Sequence, residues 1–80
     1  MAMTVTIEDI RPLMEDVFQL QDLSVAPETN ARDIKAWDSL NNVRLMLRVE
    51  SEFGVDLPVD KVEGLKNVGQ LLALINSLRA

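Results

Sequence analysis

Eighty residues with a net charge of −5 and neither cysteine nor histidine exclude a disulfide framework, a thiolate nucleophile, a cysteine-type zinc site and any Ser-His or Cys-His relay. The acidic balance argues against nucleic acid as a partner, which needs a basic face, and suits steering toward partners that present Lys or Arg. With 48% hydrophobic and 26% charged residues the chain is too apolar for disorder, and its length predicts one domain over 1–80 with a modest core.

Met1-Ala2-Met3-Thr4-Val5 lacks the basic and apolar regions of a secretory signal. The longest uninterrupted apolar run, Leu71-Leu72-Ala73-Leu74-Ile75, is far short of a membrane span. Both readings predict a cytoplasmic protein that engages no membrane. Ile7, Ile10, Met14, Val17 and Phe18 then recur at helical spacing and predict a first amphipathic helix ending near Leu20. Its start has two solutions. With Thr6 as N-cap, Pro12 lies deep in the helix and should kink it; with Asp9 as N-cap, Pro12 falls in the first turn, where its missing N–H costs little.

From Gln21 to Trp37 the periodicity breaks. Pro27, Asn30 and several Asp, Ser and Thr residues mark a loop, pinned at intervals by Leu23, Val25, Ile34 and Trp37. Loops of this length are mostly functional or disordered, and the spaced apolar residues favour an ordered one. Trp37 reads either as the anchor of that loop or as a flat contact surface for a partner.

Asp38 is the predicted N-cap of a second helix that ends before Gly54, a natural left-handed stop. This places the Ser39 hydroxyl at the helix start. At about 100° per residue, Asn41, Arg44, Arg48, Ser51 and Glu52 fall on a polar arc and Leu45, Met46, Val49 and Phe53 on a core-facing stripe. Leu40, Val43 and Leu47 form a shoulder beside that stripe, either packed on another helix or left exposed as a docking surface next to Ser39. Val55-Asp56-Leu57-Pro58 must be extended. Val59 to Gly64 fits one short helix. Asn67-Val68-Gly69-Gln70 reads as a capping box opening a last helix with Val68, Leu71, Leu72, Ile75 and Leu78 inward. The predicted fold class is all-α: a small antiparallel four-helix bundle of three main helices and a short third one, with a long loop between the first and second.

One presented hydroxyl without catalytic apparatus suggests a protein that is modified, not one that catalyses. A Ser-Lys dyad of Ser39 with Lys35 or Lys61 has nothing to fix its geometry and no visible oxyanion motif. A helical adaptor that docks partner helices leaves Ser39 and the long loop unexplained.

Asp38-Ser39-Leu40, then Val43, Leu45-Met46-Leu47 and Val49, then Glu52-Phe53-Gly54-Val55-Asp56-Leu57-Pro58 resemble the pattern of acyl carrier proteins and their peptidyl carrier relatives over essentially the whole chain. The resemblance implies that Ser39 receives a covalent 4′-phosphopantetheine arm from coenzyme A, attached by a phosphopantetheinyl transferase with magnesium. Asp38 would assist that transferase and its metal, and the chain itself would be neither an enzyme nor a metal binder. The phosphate would sit at the positive end of the second helix. By the same resemblance, Trp37, Leu40, Val43, Arg44, Leu47 and Arg48 lie where partners bind. Val62 and Leu65 align with positions near the acyl-sequestering cleft, with plain core packing an equal alternative.

The implied partners are acyl-loading, elongating and transferring enzymes with basic docking patches, and the implied state is a monomer. Two departures stand out. Asn41, Arg44 and Arg48 replace the acidic residues usual in fatty-acid carriers, and Trp37 replaces the common Gly or Ala. Misplaced charge repels the wrong enzyme, so the expectation is a carrier for a specialised pathway (polyketide, modified lipid, glycan or mixed peptide). A peptidyl or aminoacyl carrier is the alternative within the class.

Overall fold

Thr6 caps α1 (Ile7–Phe18). The Asp9 carboxylate reaches back to accept from the Thr6 backbone N–H at 2.9 Å and from its hydroxyl at 3.1 Å. Of the two predicted starts the chain therefore takes the earlier one, and Asp9 serves the cap instead of being it. Pro12 lies inside α1 and the helix continues through it. Pro12 and Glu8, whose carbonyl loses its partner to the missing N–H, are both exposed, so water can take that carbonyl. Gln19, in the left-handed conformation at φ 57°, ends the helix just before the expected Leu20.

The computed structural model describes residues 4–79. Met1–Met3, part of the stretch read for a signal, lie outside the described residues, as does Ala80. After α1 come a 3-10 turn (Ala31–Asp33), α2 (Ser39–Phe53), α3 (Val59–Glu63) and α4 (Val68–Arg79), and no strand forms among the described residues. The expected all-helical fold with a short third helix and a long first loop is what the chain adopts. Gly54 closes α2 at φ 67°, a backbone state that disfavours any residue with a Cβ.

The core lies where α1, α2 and α4 meet. Ile10 and Met14 of α1, Leu45 and Val49 of α2, and Val68, Leu71 and Ile75 of α4 are almost completely shielded from water. Each such side chain stabilises the fold by about 1.5–3 kcal/mol relative to exposure. Phe53, Leu72 and Leu78 pack against this cluster from partly buried positions. At the other end of the chain Asn76 clamps Val5, accepting from its N–H at 2.8 Å and donating to its carbonyl at 3.0 Å.

The 21–37 loop is ordered by specific bonds. Glu15 accepts from the Leu23 N–H at 2.8 Å. The Pro27 and Thr29 carbonyls accept from the first N–H groups of α4, Gly69 at 2.7 Å and Val68 at 2.8 Å. The loop thus caps a helix whose own Asn67 accepts from the Gln70 N–H at 2.8 Å. Gly69 is needed here for closeness: a Cβ at this position would sit 3.0 Å from the Pro27 carbonyl oxygen.

Candidate functional site

Asp38 caps α2, its carboxylate accepting from the Asn41 N–H at 2.8 Å. That cap fixes Ser39 as the first residue of the helix, exposed. The Asn41 side chain donates to the Ala36 carbonyl at 2.8 Å, tying the loop to the helix start. Trp37 is half-buried, its ring 5.8 Å from that of Phe18 and its indole N–H donating to the Asn42 side chain at 2.9 Å. The loop-anchor reading of Trp37 therefore holds, and the same ring also faces the site.

Ser39, Asp38 and Trp37 border a cavity of about 310 Å³ whose far wall includes Val62 and Leu65. The two residues aligned with an acyl cleft thus share a cavity with the serine. Asn42, Glu63 and Lys66 also line it. Sequence reasoning did not single these out, because their meeting depends on how α2, α3 and the segment after α3 come together, and no local pattern encodes that. The Ser39 hydroxyl makes no hydrogen bond to another described residue, Lys35 and Lys61 included, so no Ser-Lys dyad is assembled. Among the described residues no group of three or more His, Cys, Asp or Glu side chains is placed to hold a metal ion.

The shoulder of α2 resolves toward exposure: Leu40, Val43 and Leu47 are 60%, 55% and 59% exposed. They flank Ser39 on the outer face of the helix. A second cavity, about 320 Å³ and more apolar, lies between this shoulder and α3, lined by Val43, Leu47, Leu57 and Val59 with Glu50 and Glu63. The two arginines of the polar arc differ. Arg48 pairs with Asp16 of α1, which compensates its charge, whereas Arg44 is exposed with no ion pair among the described residues. Glu50 accepts from the Leu57 N–H at 2.8 Å, holding the extended turn after α2 in place.

A family model described as the phosphopantetheine attachment site matches residues 8–75. The chain is 36% identical over 72 residues to an acyl carrier protein of Thermosynechococcus vestitus, covering 89% of this chain and 88% of that one. It is 34% identical over 68 residues to an acyl carrier protein of Lactobacillus acidophilus, covering 85% of each. It is also 31% identical over 72 residues to the meromycolate extension acyl carrier protein of Mycobacterium tuberculosis, covering 90% of this chain and 63% of that protein. The solution structure of a holo acyl carrier protein from Geobacter metallireducens superposes with a TM-score of 0.85 at 32% identity, covering 91% of this chain and 84% of that one. Among the described residues no helix is long and apolar enough to cross a membrane.

Proposed function

The chain belongs to the phosphopantetheine-attachment family of acyl carrier proteins; we infer that Ser39 holds the arm and, from the charge on the second helix, that the acyl groups carried serve a specialised route instead of bulk fatty-acid synthesis. Members of this family are carriers, not enzymes. They hold 4′-phosphopantetheine covalently and interact with a phosphopantetheinyl transferase and with biosynthetic enzymes. The arm supplies a terminal thiol for acyl attachment.

The residues around Ser39 fit such a group. Its hydroxyl is exposed, with no hydrogen-bond partner among the described residues, at the start of a fifteen-residue helix, where the N–H groups of the first turn and the helix dipole favour a phosphate. Asp38, one residue earlier, can serve both the cap and the transferase. Val62 and Leu65 across the same cavity support the reading of that space as a shelter for acyl cargo. The exposed Leu40, Val43 and Leu47 supply an apolar surface for the enzymes that load and unload the arm. The specialised route rests on Arg44, an exposed cation with no ion pair among the described residues, where enzymes of fatty-acid synthesis expect acid. Arg48 contributes less to that exclusion than Arg44, since Asp16 offsets it. A family relative named for meromycolate extension is consistent with a modified-lipid route.

The single observation that carries this reading is the exposed hydroxyl of Ser39, first residue of α2, on the border of a partly apolar cavity. Incubation with coenzyme A and a promiscuous phosphopantetheinyl transferase should add the mass of one arm, and Ser39→Ala should gain none while keeping its helix content by circular dichroism. An unchanged mass, or an arm mapped to another residue, removes the assignment. The intact mass of protein purified from its native host then reads the cargo.

A further inference from the structure

Four of the five large apolar side chains exposed among the described residues are Leu40, Val43, Leu47 and Val59, and all four lie on or beside the outer face of α2. Apolar exposure concentrated in this way marks an interaction surface. Its two flanks carry opposite charge. On one flank Arg44 stands one turn before Arg48, whose guanidinium reaches Asp16 on α1, so Arg44 lies on the α1 side of the ridge. On the other flank Glu50 and Glu63 line the cavity that Val43 and Leu47 share with α3. Glu63 is exposed and has no ion pair among the described residues.

We infer that this ridge docks an enzyme surface that is itself bipolar: an apolar socket with a carboxylate facing Arg44 on the α1 side and a Lys or Arg facing Glu63 on the α3 side. This rests on the carrier reading above and adds the partner chemistry that reading leaves open. A uniformly basic patch meets Arg44 with repulsion, and a uniformly acidic one meets Glu50 and Glu63. The bipolar patch satisfies both flanks, and it also fixes the rotation of the carrier about the Ser39 axis. Orientation is what a tethered group needs if it is to enter a tunnel and not glance off its rim. Rim charges of this kind act mainly on encounter rate and register.

A permanent pair of copies is the poorer occupant. From Leu40 to Leu47 the ridge runs about 10 Å at 1.5 Å per residue, too little for the ~800 Å² per partner of a stable interface. Such a pair would also crowd Ser39, which borders the ridge.

The test is a charge-swap cycle on the arm-bearing protein with a malonyl transferase of fatty-acid synthesis, whose carrier-docking patch is basic. Its kcat/KM at low salt is measured for the unaltered carrier, Arg44→Glu and Glu63→Lys. The same series is repeated with a transferase variant in which the cation facing α2 is reversed to Glu. On the unaltered transferase, Arg44→Glu should raise kcat/KM by about three- to tenfold and Glu63→Lys should lower it by a similar factor. On the reversed transferase the unaltered carrier should overtake Arg44→Glu, and both effects should shrink at high salt. Both side chains are exposed, so circular dichroism should be unchanged.

If the two carrier variants shift kcat/KM in the same direction, or by less than about twofold on both enzymes, the bipolar surface is overturned while the carrier reading stands. A protein that takes no arm overturns both. Sedimentation of the unaltered protein as a dimer that Arg44→Glu dissolves assigns the ridge to self-association and overturns the enzyme as its occupant.

Discussion

The 21–37 loop and α3 both line the Ser39 cavity, and the loop, which has almost no regular structure, is the better anchored of the two. Ile34 is buried at 7% exposure. The Pro27 and Thr29 carbonyls cap α4, the Ala26 N–H donates to the Thr29 hydroxyl at 2.9 Å, and the Asn41 side chain fastens Ala36. By contrast α3 is a five-residue helix with no buried residue and no side-chain bond at its Pro58 cap. A helix that short is marginal on its own hydrogen bonds. Regular backbone geometry and local stability are therefore separate properties here. Irregular chain is tied down where its polar groups find distant partners, whereas in α3, among the described residues, a partly buried Val62 is the one side chain packed against the core.

The contrast can be broken most directly by hydrogen exchange. The amides of Val68 and Gly69, bonded to the loop, should exchange about two orders of magnitude more slowly than that of Val62 in α3; equal rates would make the two walls alike. The next largest effect is on global stability. Ile34→Ala should cost about 2–4 kcal/mol in denaturant unfolding, against under ~0.5 kcal/mol for Val59→Ala, exposed at 72%. Gly69→Ala should cost about 1–3 kcal/mol, because its Cβ crowds the Pro27 carbonyl and the loop must shift. The smallest effect sharpens the comparison outside the cavity: Arg48→Ala should lose no more than about 1 kcal/mol, less at high salt, since the pair with Asp16 is solvent-exposed.

Signals written within a few residues of each other were legible in the chain. Asp38 as the cap of α2, Gly54 as its stop and the core-facing stripe of Leu45, Met46, Val49 and Phe53 follow from spacing and residue chemistry and are present, with Phe53 only partly buried; of the Asn67–Gln70 capping box one half forms, Asn67 accepting from the Gln70 N–H while the Gln70 side chain accepts from the Lys66 N–H instead. The legible part of the candidate site was the same local part: Ser39 at a helix start with an apolar shoulder beside it. What escaped depends on pairings across the fold. The Asn76 clamp on Val5 joins residues 71 positions apart, and the Arg48–Asp16 pair spans 32. No local pattern marks Glu15 or Glu50, yet each holds a backbone N–H of an irregular segment. The 3-10 turn at Ala31–Asp33, with Asn30 accepting from the Arg32 N–H at 2.8 Å, has a local cap but too short a span for periodicity to register. At Pro12 two local rules conflicted, and the chain takes the start that the Thr6–Asp9 capping box marks.

Trp37 has one more consequence. It is the single tryptophan of a chain that contains no tyrosine, and its indole lies on the cavity wall beside Ser39. Ultraviolet emission from this protein therefore reports on one location alone, and displacement of water from that pocket registers as a change in colour and quenching without any dye.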